Sequence, residues 1–65
     1  MEKQVPEGYR IYRMRDDWFV PEKLDTRRNM WRSFPKGANG YVSHKTWMGA
    51  YRFILRHAAA SLQRG

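Results

Sequence analysis

The stretch SHKTWMGAYRFILRHAAASLQ, residues 43–63, decides the architecture. Stepping about 100° per residue puts Trp47, Tyr51, Ile54, Leu55, Ala58 and Leu62 within an arc of about 100°, the apolar stripe of a helix laid on another layer. Lys45, Arg52, Arg56 and Gln63 gather on the opposite side as a polar ridge with three cations. Ser43 stands where an N-cap is needed, its hydroxyl able to satisfy an early orphan amide. The spacing therefore predicts a helix from about His44 to Gln63.

Upstream, Pro35-Lys36-Gly37-Ala38-Asn39-Gly40 is the strongest loop signal in the chain. Before it, NMWRSF (29–34) reads as a strand, and the charged run Glu22 to Arg28 as a loop. Trp18-Phe19-Val20 is a further strand, with Pro21 ending its pairing or marking an edge. Asp16-Asp17 is a turn, since aspartate tolerates the left-handed region and bonds its own backbone. YRIYRMR (9–15) is a first strand with interleaved arginines. Residues 1–8, with Pro6 and Gly8 and no periodicity, read as a flexible arm, leaving 9–65 as one small basic domain. The expected class is α+β: a three-stranded antiparallel sheet covered on one side by the C-terminal helix. Tyr12, Met14 and Trp31 are expected inward, leaving Ile11, Arg13 and Arg15 beside Met30, Arg32 and Phe34 on the open face. A slip of one residue reverses that choice.

Sixty-five residues bury only about 60% of the surface of the unfolded chain, so the core must come from few, large side chains. Three Trp, four Tyr and three Phe supply it, and the absence of Cys leaves packing as the source of stability. Thirteen Lys and Arg stand against six Asp and Glu, a net charge of +7. The two signs are not mixed. Residues 1–25 hold five cations and all six carboxylates; the last forty residues hold eight cations and none. Nine of the thirteen cations are Arg, whose planar guanidinium binds phosphate bidentately and stacks on rings. A surface built only for solubility intersperses its charges, so a polyanionic partner is expected.

In layout the chain resembles the sheet-plus-helix DNA-binding domains of the AP2 type and of some phage integrase amino-terminal arms. The likeness spans roughly Tyr9 to Ala60 and rests on Tyr9-Arg10, on Trp18 after the first turn, on Trp31 and Phe34 in the third strand, and on a helix rich in Ala, Tyr and Arg. The glycine that the plant family prefers between the third-strand Trp and Phe is absent, and the spacing is shorter. The resemblance implies that Arg13, Arg15 and Arg32 face bases or phosphates while Arg27 and Arg28 grip backbone from the loop. A second geometry brings phosphates to the helix ridge of Lys45, Arg52 and Arg56.

Phe53 lies off the main helical stripe, with Gly49 and His57 one turn to either side. This patch is covered by the Pro35 to Gly40 loop or the arm, or else forms the contact of a homodimer in which Gly49 permits close approach. His44 and His57 are too far apart in sequence for a helical metal site, and no Cys completes one. No metal, cofactor or catalytic residue is expected, since no nucleophile elbow or phosphate-binding glycine loop is present. No run approaches the length of a membrane span, and MEKQVPEGYR lacks the apolar segment of a secretory signal, so a cytoplasmic chain is expected. The expected function is non-catalytic binding of nucleic acid, duplex DNA first, by a small accessory or regulatory factor of the bacterial or phage kind. The alternative is an adaptor or inhibitor that docks its basic and aromatic surface on an acidic protein.

Overall fold

A computed structural model describes residues 4–14 and 17–64, with side chains described as far as 61. β1 (Tyr9–Met14), β2 (Trp18–Asp25) and β3 (Met30–Ser33) form an antiparallel sheet in the order β1-β2-β3. A short hairpin of β4 (Pro35–Lys36) and β5 (Gly40–Tyr41) follows, and the helix α1 (Trp47–Arg64) closes the fold against β1 and β2. The α+β reading, a three-stranded sheet with one C-terminal helix, is the observed architecture.

Register follows from the turns. Met14 pairs with Trp18 across a connection in which Asp17 has φ 58°, a left-handed position that aspartate tolerates. Arg15 and Asp16, within that connection, lie outside the described residues. At the other end β2 runs on to Asp25 instead of opening into a loop at Glu22. The Asp25 carboxylate accepts hydrogen bonds from the amides of Arg27 (3.0 Å) and Arg28 (3.3 Å), and Asn29 takes φ 53°. This pins a four-residue turn into β3. Extra pairing is available because Glu22, Lys23 and Leu24 have partners on both sides, in β1 or just before it and in β3.

Pro21 does not end the pairing: it sits within β2 opposite Ile11. Phe19 exchanges both backbone hydrogen bonds with His44, at 2.7 and 2.8 Å, on the side of β2 away from β1. By the alternation of backbone groups along a strand, Pro21 points to that same side, in the gap between the His44 bridge and the end of β3, where Ser33 pairs with Glu22. There no donor is required of it. Its ring is fully buried.

The two sheet faces are reversed from the expected parity. Partners across the ladder share a face, so Tyr9, Ile11, Phe19 and Pro21 lie together. Tyr9 shows which way they look: its hydroxyl shares a 3.1 Å hydrogen bond with His57 Nδ1 of α1. Phe34, just beyond β3, also turns to the helix, with its ring 5.0 Å from Phe53 and 4.6 Å from His57. Tyr12, Met14 and Trp31 are on the other side, and Tyr12 is 51% exposed. The reason is chemical. Ile, Pro and Phe have no polar atom to leave unsatisfied, whereas Tyr and Trp tolerate a wet surface through their hydroxyl and indole N–H.

The helix starts later than expected and is turned about its axis. Its cap is Thr46, whose Oγ1 accepts from the Gly49 amide at 3.0 Å, because Ser43 and His44 are drawn into the strand-like approach that bridges Phe19. The buried positions are Ala50 and Ile54, both 0% exposed, flanked by Phe53 and His57. That centre is roughly 100° from the expected stripe on the same wheel. Trp47 and Tyr51 stack on each other at 5.0 Å and so need less of the sheet, and Leu55 is 40% exposed. Ala50 has no side chain beyond Cβ, which allows the helix backbone close to the strands. Phe53 is therefore part of the seam and not an outlying patch.

Residues 4–8 are tied to the sheet at their end. Gly8, at φ 86°, accepts a hydrogen bond from the Leu24 amide at 2.8 Å, which carries the β1-β2 ladder one step further.

Candidate nucleic-acid interface

The expected cations fall into separate groups. At the β2-β3 end, the Asp25-pinned turn holds Arg27 and Arg28 exposed at its tip. Lys23, Arg27 and Arg32 line a groove of about 430 Å³, whose floor includes Leu24 and Phe34. Asp25 is the carboxylate in this groove, with Oδ2 3.6 Å from an Arg32 Nη. Three cations thus share one anion that already serves the turn.

A second group lies on the helix. Arg52 and Arg56, one turn apart and exposed, line a hollow of about 230 Å³ with His44, Gly49 and Phe53. Lys45 does not join them. It precedes the helix, and its Nζ stands 5.8 Å from the centre of the Trp18 ring. The expected ridge of three cations is a pair.

Arg13 is committed elsewhere: its Nη2 is 2.6 Å from Asp17 Oδ1 and its guanidinium 5.9 Å from the Phe19 ring. It belongs by parity to the helix-facing side, as does Arg32, so neither projects from the open face as the layout resemblance implies. Arg15 lies outside the described residues. Gly49, Phe53 and His57, read as a partner or dimer contact, have close neighbours within the chain. Phe53 meets Phe34 and His44, and His57 meets Tyr9 and Phe34. A Cβ on Gly49 would come within 3.1 Å of Thr46 Oγ1 and 3.2 Å of the His44 side chain, so this glycine admits the cap and the imidazole of its own chain.

The open face carries residues that the sequence reading placed in the core or passed over. Tyr12, Trp18 and Tyr41 are exposed there, and Trp31 is half-buried. Arg10 lies over Trp31, with Cζ 4.6 Å from the ring centre, and is fixed by Glu22 at 2.6 Å. Such a pair holds the guanidinium in place even though ion pairs near solvent stabilise little. Tyr41 donates to Met14 Sδ at 3.2 Å. To reach β1 from β5 its side chain must cross β2, and Val20 beneath that crossing is 2% exposed. The available signal was the alternation of Arg10, Tyr12 and Met14 against Tyr9 and Ile11, once Ile11 is given the dry side.

No three of His, Asp and Glu gather closely enough to hold a metal ion among the described residues, and no helix is long and apolar enough to cross a membrane. Comparison with protein-family models, with curated proteins and with solved structures finds no match to this chain.

Proposed function

We propose that this chain is a non-catalytic nucleic-acid-binding module. One observation carries the reading: among the described residues, Arg32 is the one cation beyond residue 25 that pairs with a carboxylate of the acidic first segment. Asp17 and Glu22 pair with Arg13 and Arg10 of that same segment, and Asp25 alone reaches Arg32. Arg27, Arg28, Lys36, Lys45, Arg52 and Arg56 have no ion pair with a described carboxylate. Phosphates would be met by Arg27, Arg28 and Arg32 around the β2-β3 groove and by Arg52 and Arg56 on the helix, as charge-assisted and in part bidentate contacts.

Titration of a labelled oligonucleotide at several salt concentrations tests this. Phosphate contacts give a linear fall of log K with log salt, and removing Arg27 and Arg28 together should lower the slope by about 1.5 to 2. The Arg52→Ala, Arg56→Ala pair reports on the helix in the same way. Absence of association at low salt overturns the proposal. Binding of an acidic polypeptide in preference to any oligonucleotide would assign the same cations to an acidic protein partner.

A further inference from the structure

We infer that the open face of the sheet is a stacking platform for the unpaired bases of a single-stranded nucleic acid, an inference that rests on the nucleic-acid reading above. In a chain of 65 residues with so little interior, three aromatic rings on one face remain in water: Tyr12 at 51%, Trp18 at 38% and Tyr41 at 43% exposure. The seam with the helix does not use them, and of the three Tyr41 is the one that crosses over the buried Val20. Parity places Tyr12, Trp18 and Trp31 together on the face opposite the helix, and the Tyr41 hydroxyl reaches Met14 on that same face.

Two cations accompany the rings. Arg10 covers Trp31 and Lys45 stands over Trp18. Glu22 is the one carboxylate among the strand residues of this face, and it is engaged by Arg10. A surface of rings bracketed by cations, with the one carboxylate of its described strand residues occupied, complements a ligand that is flat and apolar on its bases and negative on its backbone. Bases can stack on exposed rings and on guanidinium planes alike, so Arg10 extends the platform instead of blocking it.

The form of the ligand follows from the same geometry. Duplex bases are stacked on one another and show only their edges in the grooves, so an exposed ring finds no free base face to stack on there. Unpaired bases present their faces. The cation groups at the β2-β3 groove and on the helix remain available to any phosphate backbone, single or double.

The test compares dT20 with a hairpin duplex of equal charge at one fixed salt concentration, using the full chain. Tyr12→Ala and Trp18→Ala, at exposed positions, are checked for native circular dichroism. Each should weaken dT20 binding by about five- to a hundred-fold, the loss expected for one stacked base, and leave duplex binding and the salt slope unchanged. Tyr12→Phe, which keeps the ring, should bind dT20 within about twofold of the native chain. Wild-type affinity of both alanine variants for dT20, or a duplex bound as tightly as the single strand, overturns the inference while leaving nucleic-acid binding intact. Failure of both oligonucleotides to bind at low salt removes the two proposals together. Polyglutamate bound in their place, and weakened by Tyr12→Ala, would give the face to an acidic protein.

Discussion

The two faces of the sheet share strands, register and even residue classes, yet they do opposite work. Toward the helix lie Tyr9, Ile11, Phe19 and Pro21, joined by Phe34 and closed by Ala50, Phe53, Ile54 and His57. Away from it lie Tyr12, Trp18, Trp31 and Tyr41 with Arg10 and Lys45. The covered face takes aliphatic and phenyl groups and gives its one tyrosine hydroxyl a partner. The open face takes amphipathic rings and cations, set around Val20, which is 2% exposed. The difference teaches that aromatic content alone does not locate a core; what decides is whether each ring's polar atom is satisfied indoors.

Substitution at the centre of the covered face should have the largest effect. Ile54 is 0% exposed, and Ile54→Ala removes buried methyl groups and leaves a space that a small, tightly curved domain cannot fully collapse. A loss of about 2–4 kcal/mol is expected, enough to leave a chain of this size largely unfolded near physiological temperature. Urea denaturation followed by circular dichroism measures it. An Ile54→Ala chain as stable as the native one would mean that the seam with the helix is not the core.

Phe34→Ala comes next, at about 2 kcal/mol, since the ring is only half-buried but meets Phe53 edge-to-face and His57 at 4.6 Å. It also bears on where the polypeptide between β3 and the hairpin is held, because the Phe34 carbonyl accepts from the Val42 amide at 2.8 Å. Thermal unfolding should shift downward by about 8–16 °C. A shift near zero would detach this residue from the covered face.

The architecture was legible because two signals in the chain are local and strong. Helical periodicity over residues 43–63 and the sequence of strand-like runs broken by Asp17 and the Pro35 to Gly40 segment suffice for three strands and a helix. The face assignment was not legible, because it depends on competition between candidates of similar hydrophobicity. Tyr9 and Ile11 compete with Tyr12 and Met14 at neighbouring positions of one strand, and only the partner layer decides between them. The helix rotation has the same origin: Trp47 and Tyr51 satisfy each other at i, i+4, which a wheel cannot show. The cap was hidden because both Ser43 and Thr46 are acceptable N-caps. The choice fell to Thr46 through a non-local bond, the His44 bridge to Phe19. The candidate cations were legible by type, but their grouping depends on the turn at Asp25 and on Lys45 lying outside the helix.

Gly49→Ala sharpens the account of the seam. In an open helical position alanine would stabilise by up to about 1 kcal/mol. Here the added Cβ meets Thr46 Oγ1 and the His44 Cβ at 3.1 and 3.2 Å. The His44 Cβ cannot swing away by a rotamer change, because its backbone is held by two hydrogen bonds to Phe19. A net destabilisation of about 1 kcal/mol is expected. Stabilisation instead would show that the His44 bridge yields easily and that the helix start is loosely held.

Tyr12→Ala should have the smallest effect on stability, and that smallness is what separates the faces. Tyr12 sits in the middle of β1, paired with Val20, in the register position of a core residue. If its ring supported the fold, truncation would cost as much as at Phe34. With half its surface in water, the ring adds cross-strand contact and little burial, so a change within about 0.5 kcal/mol is expected. The measurement is the urea midpoint of the variant against that of the native chain. A loss above about 2 kcal/mol would place Tyr12 in a second core built on the open face. Binding losses at Tyr12 would then have to be read as losses of structure. A near-zero change permits the opposite conclusion, that this ring is kept in water at no benefit to the fold and is available to a ligand.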